Sequence, residues 1–137
     1  MAIENGVIAG EKRILIVDDH LELRLLVRES LDDGSASYLF QEAGNASEAL
    51  AALSVFRPQL VILDVMMPGE MDGYRLCELI KSDPALMDIY VVLLTARGQR
   101  ADIEKGQTVG ADLYLVKPFS PDQLIAAVAK IFEAQGR

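Results

Sequence analysis

Asp18, Asp19, Asp64, Thr95 and Lys117 share one placement, because each stands where a short apolar run stops. The runs are Ile14-Leu15-Ile16-Val17, Leu60-Val61-Ile62-Leu63, Val91-Val92-Leu93-Leu94 and Leu113-Tyr114-Leu115-Val116. As neighbouring parallel strands, they would end along one edge of a sheet, where open α/β folds bind their ligands. Three carboxylates gathered there repel one another, each pair by several kcal/mol at ~4 Å and an effective dielectric of ~20. The cluster therefore calls for a cation. Hard oxygen donors favour Mg2+, which keeps some of its waters and accepts phosphate oxygens in their place. A carboxylate beside Mg2+ is a nucleophile toward phosphorus, and phosphoryl transfer demands mainly in-line positioning and charge stabilisation. Asp64, the lone acid of its strand end, is the expected nucleophile. Asp18 and Asp19 would hold the metal, Thr95 would donate to one phosphoryl oxygen, and Lys117 would pair with another while relieving the residual repulsion.

The elements that must bring these residues together are legible as alternating βα units. The expected order is β1 13–18, α1 20–32, β2 37–43, α2 46–56, β3 60–64, α3 72–82, β4 89–94, α4 99–107, β5 112–116 and α5 121–134. Strands one, three, four and five are apolar without alternation, as strands covered on both faces are. The second, Tyr38-Leu39-Phe40-Gln41-Glu42, mixes in polar residues and belongs at an edge. Ser120, Pro121 and Gln123 spell a helix start with a capping box, followed by Leu124, Ile125, Val128, Ile131 and Phe132 at helical spacing. The fourth helix has Gly98, Gly106 and Gly110 in or near it and little apolar stripe beyond Ile103, so it should be the least rigid element. Right-handed crossovers then give a flavodoxin-like α/β fold, a doubly wound five-stranded parallel sheet in the order 2-1-3-4-5 flanked by five helices.

The 137 residues suit one domain, read as a single folded unit over 13–137 after a flexible tail over 1–12. With 21 acids against 13 bases the net charge is -8, the wrong sign for a nucleic-acid-binding patch. No apolar stretch approaches the ~20 residues of a membrane span, and the N-terminus lacks the pattern of a signal peptide. A cytoplasmic protein is expected. The single cysteine, Cys77, reads as a small core residue.

The set Val17-Asp18-Asp19, Leu63-Asp64-Val65-Met66-Met67-Pro68 with Asp72-Gly73, Leu94-Thr95-Ala96 and Val116-Lys117-Pro118-Phe119 resembles the receiver domain of bacterial two-component response regulators, of the chemotaxis-regulator-like kind. Motifs in the right order over about Arg13 to Phe132 are far more specific than any one of them. The resemblance implies that Asp64 takes a phosphoryl group from a histidine kinase or phosphotransfer protein, with Mg2+ held by Asp18, Asp19, Asp64 and the backbone carbonyl of Met66. It further implies that Thr95 moves toward the phosphate and that Tyr114 turns inward. The α4-β5-α5 face then changes shape for an unknown downstream partner. A cis Lys117-Pro118 bond is also implied, and only an X-Pro bond makes that form cheap. One departure is the three residues Gly69-Glu70-Met71 before Asp72-Gly73, where receivers commonly have two. Met66 and Arg97 would flank the path of a hydrolytic water.

Taken singly, these residues have plainer readings. Asp18-Asp19 could be a solvated strand end, Thr95 a β-branched strand residue, Lys117 a surface lysine and Tyr114 core packing. His20 is read as exposed and without a catalytic role, Asp72-Gly73 as helix-start geometry, and Met66, Met67 and Met71 as loop packing. Two other functions stand beside the switch. One is a Mg2+-dependent phosphohydrolase, which would need a second acid where Met66 stands and a substrate cap. The other is a receiver-like binding module indifferent to phosphorylation. The end of the chain at Gly136-Arg137 suits a stand-alone regulator, a relay, or a piece of a longer protein.

Overall fold

The computed structural model describes residues 11–32, 38–69, 71–96 and 100–135, together with the backbone of 3–4 and 7–8. Five strands, β1 (Lys12–Val17), β2 (Tyr38–Ala43), β3 (Leu60–Asp64), β4 (Tyr90–Thr95) and β5 (Leu113–Val116), form one sheet in the order β2-β1-β3-β4-β5. Every pairing in it is parallel. The helices between and after them are α1 (Leu21–Leu31), α2 (Ala46–Phe56), α3 (Gly73–Ser82), α4 (Arg100–Thr108) and α5 (Pro121–Gln135). Element order and topology are those expected, with ends moved by one or two residues. The tail expected over 1–12 lies largely outside the described residues, although 3–4 and 7–8 pair antiparallel and Lys12 already opens β1.

Alternate residues of each central strand feed opposite cores. Leu15, Val17, Leu63, Leu76 and Leu93 meet on one side, and Ile14, Ile16, Ile62, Leu94, Leu124 and Val128 on the other. A strand buried on both faces must be apolar at every position, which is why β1, β3 and β4 show no alternation. Truncating one such residue, Ile62→Ala for instance, would cost about 3 kcal/mol in lost transfer energy and cavity. β5 is the second edge, as the expected order requires, but departs from expectation in burial, its residues being half-buried or exposed. An edge strand lacks a neighbour on one side, so four apolar residues there do not imply full burial.

Local chemistry sets the helix ends. Asn45 Oδ1 accepts from Glu48 N at 2.8 Å while Glu48 Oε1 accepts from Gly44 N at 2.7 Å. The Ser120 box forms as read, with Ser120 N donating to Gln123 Oε1 at 2.7 Å and Gln123 N to Ser120 Oγ at 3.1 Å. Such reciprocal caps satisfy donors that a helix start leaves orphaned. α4 buries Gly106 alone among its residues. Gly98 and Arg97 lie outside the described residues.

Candidate functional site

Parallel register brings the chemistry-bearing residues to one sheet edge. Val17 is level with Leu63, Asp64 with Leu94, and Thr95 with Val116. Asp18 and Lys117 each follow the last residue of their strands, so Asp18, Asp64, Thr95 and Lys117 line the carboxyl ends of four adjacent strands. Asp18, Asp64 and Thr95 are buried, at 1%, 2% and 0% exposure. Backbone bonds lock these ends in place: Asp18 N donates to Ala43 O at 3.0 Å, Val65 N to Leu94 O at 3.0 Å, and Lys117 N to Thr95 O at 2.7 Å. The Lys117-Pro118 bond is cis.

Lys117 joins the two buried acids. Its Nζ lies 3.2 Å from Asp64 Oδ1 and 3.7 Å from Asp18 Oδ2. One ammonium against two carboxylates leaves an excess negative charge. Burial, followed by the nearby Asp18 charge, raises the Asp64 carboxyl above its ordinary value, against the opposing effects of Lys117 and of the Met66 N–H. Asp18 Oδ1 accepts from His20 N at 2.8 Å. Asp18 Oδ2 is the buried side-chain oxygen that has no hydrogen-bond partner among the described residues. A buried carboxylate oxygen left unmatched is costly unless a cation completes it. The donor chemistry, hard oxygens with an orphaned anionic atom among them, fits Mg2+. Asp18 and Asp64 would hold it from inside and the more exposed Asp19 from the rim.

Neighbouring residues shape the site, one as foreseen and others not. Asp72 caps α3 by accepting from Arg75 N at 2.9 Å, as its helix-start reading required. Gly73 does more than start the helix. A Cβ there would collide with the Asp64 carbonyl oxygen and lie 2.7 Å from Val65 Cα, so α3 rests directly on the backbone of Asp64 and Val65. Arg24 Nη1 donates to Asp18 O at 2.6 Å and its Nε to Glu42 at 3.0 Å, tying α1 and the β2 edge to the acid pair. His20 is largely exposed as read, yet its Nδ1 lies 3.2 Å from both Asp18 Oδ1 and Asp19 Oδ1. Its position directly after two acids was the available signal.

The residues expected to relay a change are also tied together. Tyr114 packs over Gly106, where a Cβ would lie 2.7 Å from its ring. The Tyr114 hydroxyl is 3.0 Å from that of Tyr74, which donates to Asp102 O at 3.2 Å. Tyr74 follows Gly73, so α3, α4 and β5 meet at these two phenols. Met67 and Met71 pack with the core, as loop packing required, while Met66 projects its side chain outward. Cys77 is buried, its thiol pushed up to about 12 by desolvation, which leaves it protonated and inert.

Comparisons with known proteins agree with this architecture. A family model described as response regulator receiver domain matches residues 14–129. The phosphate regulon transcriptional regulatory protein PhoB of Pseudomonas aeruginosa is 38% identical over 125 residues, 91% of this chain and 53% of PhoB. Response regulator Rre1 of Synechocystis is 39% identical, covering 89% of this chain and 52% of its own length. The chain thus spans about half the length of these curated relatives. Among solved structures, a receiver domain of a signal transduction histidine kinase from Syntrophus aciditrophicus superposes with a TM-score of 0.81 at 35% identity, covering 90% of this chain and 91% of that one. The chemotaxis protein CheY4 of Vibrio cholerae gives 0.79 at 29% identity, covering 88% and 98%. With the family model spanning nearly all of the sheet and the acid-lysine cluster at its edge, the chain belongs to the response regulator receiver domain family of two-component signalling.

Proposed function

We propose that this chain is a phosphorylation-controlled switch whose phosphoacceptor is Asp64. The observation that carries the reading is a buried aspartate at the end of the central strand, paired at 3.2 Å to Lys117, beside a second buried aspartate with an orphaned oxygen. An Asp64 oxygen attacks the phosphorus of a phosphohistidine on a histidine kinase or phosphotransfer protein. The P–N bond breaks and its electron pair returns to the imidazole. Asp18, Asp19, Asp64 and the Met66 carbonyl are the residues that would hold Mg2+, which when bound neutralises the phosphoryl oxygens. Lys117, released from its share of the carboxylate charge, pairs with one phosphoryl oxygen, and the Thr95 hydroxyl donates to another.

The Thr95 shift is read out through Tyr114 and the α4-β5-α5 face, which biases a two-state equilibrium toward binding a downstream protein. The functional unit is residues 13–137, in the cytoplasm, with no direct contact to nucleic acid or membrane. Among the described residues, no helix is long and apolar enough to cross a membrane. Signalling rather than turnover is supported by Met66, which occupies the place where a phosphohydrolase would carry its general acid. Incubation with acetyl phosphate and Mg2+, followed by intact-mass analysis, tests the proposal. One phosphoryl group should appear on the wild type and none on Asp64→Asn. Equal labelling of both chains, or of neither, would overturn it.

A further inference from the structure

Tyr114 is held by groups that lie outside the acid-lysine cluster. Its ring packs against the core on the α3 side of the sheet, and its hydroxyl lies 3.0 Å from the Tyr74 hydroxyl of α3. The Tyr74 hydroxyl in turn lies 3.2 Å from the Asp102 carbonyl of α4. A carbonyl only accepts, so Tyr74 directs its one proton there, and the Tyr114 hydroxyl is the donor to the Tyr74 oxygen. The result is a directed chain of hydrogen bonds from β5 through α3 to α4. Gly106 makes the seat for the ring: a Cβ there would stand 2.7 and 2.9 Å from two carbons of Tyr114. Tyr74 is itself immobilised. It is 3% exposed, Lys105 Nζ of α4 stands 4.6 Å from its ring centroid, and the preceding Gly73 is seated on the backbone of Asp64 and Val65.

We propose that Tyr74 is a positioning residue for the switch, whose hydroxyl anchors Tyr114 in its inward orientation and clasps α4 against it. The anchor is built from Tyr114, Tyr74 and Asp102, so it operates whether or not Asp64 carries phosphorus. α3 then shares with Thr95 the setting of the two-state equilibrium of the α4-β5-α5 face. The inference rests on the reading of Tyr114 as the residue that relays the Thr95 shift, and it names the group that sets the resting balance of that residue. A hydrogen bond present when Tyr114 is inward and absent when it is outward favours the inward state about fivefold. A residue that only filled space here would change the stability of the fold and leave that ratio alone, because both orientations belong to the folded chain.

The test is carbon relaxation dispersion on the tyrosine rings of the whole chain, labelled with carbon-13 tyrosine, which yields the ratio of outward to inward Tyr114. The Tyr114 signal is assigned by its loss in Tyr114→Phe. Tyr74→Phe keeps the ring and deletes the hydroxyl, and should raise the outward-to-inward ratio about fivefold. Tyr90→Phe, a change outside the chain of hydroxyls, should leave the ratio within about twofold, the scatter expected of a residue with no part in the anchor. Adding Mg2+ with beryllofluoride, a stable phosphoryl mimic, should draw both the wild type and Tyr74→Phe toward the inward form. An equal ratio in those two chains, or no outward population in either, would overturn the role of Tyr74. A fivefold rise that beryllofluoride leaves untouched would support the anchor while contradicting the phosphoryl reading of Asp64.

Discussion

Gly73 offers a prediction in which local propensity and tertiary packing pull in opposite directions. Replacing a helical glycine by alanine ordinarily stabilises by up to about 1 kcal/mol. At Gly73 the new Cβ would meet the Asp64 carbonyl oxygen and stand 2.7 Å from Val65 Cα and 2.9 Å from Asp64 C. These atoms are backbone, so no rotamer change relieves them. The start of α3 or the end of β3 must move by most of an ångström, at the expense of the 2.9 Å bond from Gly73 N to Val65 O. Overpacking of this kind costs about 3 kcal/mol or more, leaving a net loss of about 2 kcal/mol after the propensity gain. With a urea m-value of about 1.5 kcal/mol/M, the midpoint should fall by more than about 1 M. Gly44→Ala is the control, because its Cβ meets only the flexible ends of Glu48 and Arg24 at 3.4 and 3.5 Å. Urea unfolding of both variants, followed by circular dichroism, decides the matter. A Gly73→Ala chain as stable as Gly44→Ala would refute the claim that α3 is seated on the backbone of Asp64 and Val65.

Asp64→Asn should stabilise the chain at neutral pH. Burial and Asp18 raise the folded carboxyl above its ordinary 3.8, so the folded state holds a proton that the unfolded state has lost. Stability therefore falls as pH rises through the window opening at 3.8, and Asn removes that decline. Thermal midpoints of both chains between pH 3.5 and 7.5 check this, and parallel curves would contradict it. Lys117→Ala leaves Asp18 and Asp64 facing each other without their shared cation, and should cost about 2 to 3 kcal/mol, less than a fully buried pair because Lys117 is 26% exposed. Millimolar Mg2+ should restore more stability to that variant than to the wild type. Tyr74→Phe removes the hydroxyl that meets Tyr114 and Asp102, and should cost about 1 kcal/mol while speeding amide exchange across 100–108. Unchanged exchange there would mean that α4 is held by other contacts.

Much of this molecule was readable because its strands are buried on both faces. Runs such as Leu60-Val61-Ile62-Leu63 have few alternatives once glycine, proline and capping signals bound them, and the polar residue ending each run marks a sheet edge. Asp18, Asp64, Thr95 and Lys117 converge for that reason. β5 was misjudged because an apolar tetrad looks the same whether one or both of its flanks are covered. His20 was discounted because contact between its ring and both acids depends on the turn after β1, which composition does not encode. The meeting of Tyr74, Gly106 and Tyr114 joins residues up to 40 positions apart in sequence, and no local pattern links them. Gly106 looked like a weak point of α4, whereas its missing side chain makes room for a tyrosine ring.

The account stands on Asp64 as the oxygen that receives phosphorus. Reductive trapping is its most direct test: borohydride converts an aspartyl phosphate to homoserine, and peptide sequencing locates the converted residue. After exposure to acetyl phosphate and Mg2+, homoserine should appear at position 64 and, when Mg2+ is removed by chelation, should vanish. Homoserine at position 18 or 19, or trapping that persists without the metal, would contradict the account.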